Sequence, residues 1–115
     1  MAQRDHRKST RAIGDALEEH VLETLPNTTK TKGSGSVRGD GDIHHPVYMV
    51  ECKTKYGSDG ISITKLELRK GMQQALKVQL KPMFVMKNGL GQILACIPYR
   101  DMVNLLYTED EEENA

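Results

Sequence analysis

With 115 residues the chain has room for one domain and one modest core. Aromatics make up only 4% and Trp is absent, so that core must be built from Leu, Val, Ile and Met. Sixteen Lys and Arg balance sixteen Asp and Glu, but five acids (Glu109, Asp110, Glu111, Glu112, Glu113) fall in the last seven residues, leaving a body basic by five; no run approaches the ~20 apolar residues of a membrane helix.

The segment STRAIGDALEEHVLETLP predicts a helix, with Ser9 or Thr10 as cap, Ile13, Leu17, Val21 and Leu25 at helical spacing, and Pro26 as stop. A long polar stretch spans 27–41, rich in Gly, Ser and Lys, with Val37 as its one large apolar residue; a loop this long in a compact domain is usually functional or disordered. IHHPVYMVECKTK then predicts a short extended segment, a turn at His45-Pro46 and a strong strand. Thr64 and Glu67 form a capping box ahead of Leu68, Met72, Ala75, Leu76 and Leu80, which predicts a second helix. KPMFVMKNGLGQILACIP predicts two strands joined at NGLG, and YRDMVNLLY a short closing helix. The order α-β-β-α-β-β-α implies an α/β domain over residues 1–108, a mixed sheet flanked by helices, followed by a disordered acidic tail at 109–115. Met72, Met83 and Met86 are expected as core filler, and Cys52 and Cys96, each inside an apolar run, as buried free thiols. The charged start MAQRDHRKSTR is unlike a secretory leader, so a reducing, cytoplasmic setting is expected.

The stretch VYMVECKTK poses a chemical question. Alternation puts Val47, Met49, Glu51 and Lys53 on one face of the strand, with Glu51 and Lys53 roughly 7 Å apart at its C-terminal end. VYMV is apolar enough to be covered on both faces, where an ionised group is costly unless it is paired or holds a cation. Asp42 in GDGDI precedes a segment able to pair with this strand, which would set its carboxylate beside that of Glu51. Asp40 offers the same group in a competing register, but Ile43 directly follows Asp42.

GDI, a hydrophobic strand and then ECK together resemble the PD-(D/E)xK nuclease superfamily, and most closely its archaeal and phage Holliday junction resolvases. The likeness extends over residues 11 to 97 and includes Gly14 and Glu18 in the first helix and the Ser- and Lys-rich loop ahead of the Asp. Gly41 stands where the superfamily has Pro, and Gln74 is followed four residues on by Val78, so the Gln-x-x-x-Tyr of the exonuclease branch is missing. The resemblance implies a restriction-endonuclease-like fold, a homodimer and metal-dependent cleavage of branched DNA; a compact single-domain nuclease with an acidic tail would suit a phage.

In that reading Asp42 and Glu51 hold Mg²⁺ or Mn²⁺, hard cations that prefer oxygen ligands. Lys53 orients the attacking water and offsets charge growing on the phosphate. Glu18 completes the metal shell or is simply a solvated helix carboxylate beside Glu19, and the backbone carbonyl of Cys52 is a further ligand by analogy. Lys30, Lys32, Ser34, Ser36 and Arg38, with Lys55 extending the track, would contact DNA phosphates. Two other readings stay open: a general nicking or structure-specific nuclease, and an inactive nucleic-acid-binding module on the same fold. His44 and His45 are adjacent on a strand and point to opposite faces, so at most one would line a site.

Overall fold

The computed structural model describes residues 16–31, 43–55, 57 and 59–114, with side chains as far as Tyr107. Gly14, Lys32, Ser34, Ser36, Arg38, Asp40 and Asp42 lie outside the described residues.

Residues 16–24 form helix α1. It ends where Pro26 interrupts the backbone donors and Asn27 turns into the left-handed region at φ 60°. Strands β1 (Thr29–Lys30), β2 (Ile43–His44) and β3 (Tyr48–Lys55) follow, then helix α2 (Lys65–Lys77), strands β4 (Lys81–Asn88) and β5 (Ile93–Cys96), and helix α3 (Tyr99–Asn114). The five strands make one sheet in the order β1-β2-β3-β4-β5. β3 and β4 run parallel, and every other neighbouring pair is antiparallel. The expected mixed sheet with flanking helices is present, with one strand more than the sequence suggested. β1 lies in the stretch expected as loop, where Thr29 pairs with His44 and Lys30 with Ile43. Two polar residues carry no strand signal of their own, and the partner strand imposes their conformation.

Each sheet face receives a different helix. Tyr48, Val50 and Cys52 of β3, with Met83 and Val85 of β4, point to one side, where Leu17, Val21, Leu22 and Leu25 of α1 pack with Ile43 and Ile97. Val85 is the Cα partner of Cys52, so the two strands contribute matched rows. Met49 and Glu51, with Phe84 and Met86, point to the other side, beneath α2. The capping box is formed: Thr64 Oγ1 accepts from the Glu67 N–H, and the Glu67 carboxylate accepts from the Thr64 N–H.

Of the expected α2 stripe, Ala75 is buried, together with Gly71, whereas Leu68, Met72 and Leu76 are exposed. A helix drawn close to a sheet needs small residues at the contact, and larger ones are displaced to the flanks. Met72 is therefore not core filler, whereas Met86 is buried and Met83 half-buried against the core. Cys96 is exposed on the edge strand, against expectation, and Cys52 is half-buried.

The β4–β5 hairpin forms at the NGLG signal. Gly91 takes φ +82°, a conformation other residues rarely adopt. Asn88, buried at 4% exposure, accepts from the N–H groups of Leu90 and Gln92 and donates to the Asp59 carbonyl and Gln92 Oε1. α3 runs Tyr99–Asn114, its helical backbone continuing into the acidic run; Glu is a good helix former once a helix is under way. Among the described residues no helix is long and apolar enough to cross a membrane.

Candidate metal and nucleic-acid site

β3 and β4 run parallel, so both deliver their C-terminal ends, Lys55 and Asn88, to the same side of the sheet. In open α/β sheets such carboxyl ends are where ligands bind. On its other flank β3 is paired with β2 only at Met49 and Val50 among the described residues.

Glu51 occupies the row of Phe84, and its Cγ lies 3.7 Å from the position a Cβ on Gly71 would take. The carboxylate is half-buried beneath α2. Lys53, two residues on and on the same face, is exposed. The two charged groups do share a face, as alternation required.

Glu18 comes from α1, on the opposite face, and accepts a 3.1 Å hydrogen bond from Lys30 Nζ. An expected metal ligand and an expected phosphate contact therefore meet each other. This pair is partly solvated, worth at most about 1 kcal/mol, and easily exchanged for a phosphate oxygen or a cation.

Cys52 sits between the carboxylates. Its thiol is pushed up to about 12, first by burial, then by the charges of Glu18 and of Glu51, with Lys30 acting in the opposite sense. The thiol itself stays protonated, and the oxygen donors on offer are the two carboxylates and the Cys52 carbonyl. Oxygen donors of this kind are what a hard divalent cation of the Mg²⁺ or Mn²⁺ type takes, but the helix of Glu18 and the side chain of Glu51 lie on opposite faces of the sheet. Among the described residues no group of three His, Cys, Asp or Glu side chains is gathered; the third acid expected from the sequence, Asp42, lies outside them.

Lys55 has a role that sequence reasoning missed. Its ammonium donates to both oxygens of Glu67, at 2.7 and 2.8 Å, where a DNA contact was expected. The capping carboxylate of α2 is thereby tied to the end of the strand that carries Glu51 and Lys53. Burial alone would push the Glu67 carboxyl up, but the hydrogen bond from Lys55 and those from Thr64 outweigh it and hold it below its ordinary value. A lowered acid contributes stability that is present above its unfolded pKa and lost as pH falls through the folded one. Lys55→Met is expected to cost about 1–2 kcal/mol at neutral pH and to flatten the acid limb of the stability profile below the ordinary Glu range, measured by urea unfolding at a series of pH values.

The histidines divide as the strand geometry required. His45 Nδ1 accepts from the Val47 N–H at 3.0 Å, holding the turn, and its ring stacks at a tilt on Tyr48. His44 pairs with Met49, in the register that places it on the Glu51 face, and its buried Nε2 has no partner among the described residues.

No family model matches the chain, and neither does any curated protein or solved structure.

Proposed function

We propose that the chain is a metal-dependent DNA endonuclease of the PD-(D/E)xK type, acting as a homodimeric junction resolvase. The observation that supports this most is the pairing of β2 on β3. Ile43 stands opposite Val50 and His44 opposite Met49, the register the reading needs if an acid just before Ile43 is to serve the same ion as Glu51.

Asp42 and Glu51 would hold the divalent ion, and Glu18 and the Cys52 carbonyl would add to its shell directly or through water. When bound, the ion supplies Lewis acidity toward the scissile phosphate and lowers the pKa of a coordinated water. Lys53, exposed beside Glu51, orients that water and offsets charge on the phosphoryl oxygens. Lys30, now on Glu18, and the cations of Lys32 and Arg38 with the hydroxyls of Ser34 and Ser36 in the following segment would contact phosphate oxygens.

The test is incubation with a four-way DNA junction beside linear duplex of the same sequence, with Mg²⁺, Mn²⁺ or chelator, and mapping of the nicks. Paired, symmetric nicks on the junction support the resolvase. Cleavage of both substrates alike assigns a general nicking enzyme, and metal-independent binding without cleavage assigns a binding module instead.

A further inference from the structure

α2 turns Gly71 and Ala75 toward the sheet, so the helical period places Arg69, Lys70, Gln73 and Lys77 on the opposite, outer side, with Lys65 at its margin. All five are exposed. The chain as a whole has no net charge, yet this face gathers four cations. The one acid of α2, Glu67, is already taken by Lys55 at 2.7 and 2.8 Å. Among the described residues the ion pairs present use Lys30, Lys55 and Lys81, and none uses a cation of this face.

That arrangement works against the helix. Lys65 is the first residue of α2, where the helix dipole favours an acid, and Lys65 and Arg69 are like charges four residues apart, which repel. A helix face kept only for solubility interleaves both signs. Charge of one sign fits an anionic partner. The face also has a defined start: Lys55 ends β3 and bonds Glu67 in the first turn of α2, so the track begins at the strand end that carries Lys53. From Lys65 to Lys77 it extends about 18 Å at ~1.5 Å per residue. A DNA strand advances ~3.4 Å per phosphate, so the track matches about five nucleotides.

We infer that the outer face of α2 is a sequence-independent docking surface for the phosphate backbone of duplex DNA, holding an arm that runs away from the Glu51–Lys53 end of β3. The choice of DNA among polyanions rests on the nuclease reading; the charge and its placement do not. A groove of about 560 Å³ opens on this face, lined by Lys70, Gln73, Gln74, Leu76 and Lys77. Its two ammonium groups and two side-chain amides are donors of the kind that position a backbone without reading bases. A bilayer fits less well. The side of α2 opposite the cations is already seated on the sheet, and the exposed Leu66 and Leu76 stand about 15 Å apart along the axis, too far to form one apolar patch.

Fluorescence anisotropy of a labelled linear duplex in chelator, over a series of salt concentrations, tests it. The triple variant Arg69→Gln, Lys70→Gln, Lys77→Gln is expected to flatten the slope of log affinity against log salt by about 2–3, at ~0.9 per lost phosphate contact, and to weaken two unrelated sequences alike. Gln is a good helix former and the three positions are exposed, so circular dichroism should not change. Arg69→Lys keeps the wild-type slope, and so does Arg100→Gln, which removes an exposed cation from α3. A wild type that does not bind the duplex overturns the inference, as does a triple variant with the wild-type slope or an equal loss per charge from Arg100→Gln. If the triple variant releases phosphatidylserine vesicles and still holds the duplex, the face belongs to a membrane and the inference fails. No metal is present and no cleavage is read, so a wild type that never nicks DNA sinks the nuclease while the slope difference still supports this face.

Discussion

Glu51→Gln is expected to abolish Mg²⁺- or Mn²⁺-dependent strand cleavage while leaving the fold and DNA binding in place. Gln has the shape of Glu and meets the same neighbours beneath α2, including the 3.7 Å approach at Gly71. The melting temperature should therefore hold. What is lost is one anionic oxygen of the ion's shell, and the expected drop in nicking rate is on the order of 10²-fold or more. Lys53→Ala removes a cation that is exposed and supports no packing, so it too should leave stability within about 0.5 kcal/mol while lowering cleavage by on the order of 10²–10³-fold. The paired measurement is nicking of a supercoiled plasmid with Mn²⁺ and retention of a labelled junction on a gel. Either variant cleaving at the wild-type rate would remove the catalytic assignment for that residue.

What was readable in the sequence was what is decided locally. The capping box depends on residues three apart, and it formed as the spacing said. The common face of Glu51 and Lys53 depends only on strand alternation. Elements decided by partners were hidden. Thr29 and Lys30 become a strand only because β2 is alongside, and Lys55 could not be seen as a partner of Glu67 because the pair is twelve residues apart across a turn.

The amphipathic reading of α2 erred for a related reason. Helical periodicity locates an apolar stripe, but Leu68, Met72 and Leu76 are the exposed ones and Gly71 and Ala75 the buried ones. A sheet approached at short distance selects for small size before hydrophobicity. The same blindness applied to Cys96 and to the apolar residues of α3, whose exposure follows from a position at the sheet's edge that no single strand's pattern records.

Gly71 carries the second large effect, and it runs opposite to helix propensity. In an exposed helix interior, replacing Gly by Ala stabilises by about 1 kcal/mol. At this position an added Cβ would stand 2.5 Å from Cε1 and Cζ of the Phe84 ring, and that ring is 3% exposed within the sheet face. Overpacking of this kind costs ~1–3 kcal/mol, and a rigid buried ring flanked by strand backbone has little room to yield. Gly71→Ala is therefore expected to destabilise by up to about 2 kcal/mol net, and Gly71→Val by more, because a β-branched side chain adds further atoms to the clash. Urea unfolding measures it. The ring is the cause, so Phe84→Leu in the Gly71→Ala background should recover part of the loss even though Phe84→Leu alone destabilises. A double-mutant cycle with coupling near zero would place the strain elsewhere. Because Glu51 Cγ lies 3.7 Å from the same added atom, a helix pushed outward there also loosens the strand that carries Glu51, and on the proposed function cleavage in Gly71→Ala should fall by more than its fraction unfolded accounts for.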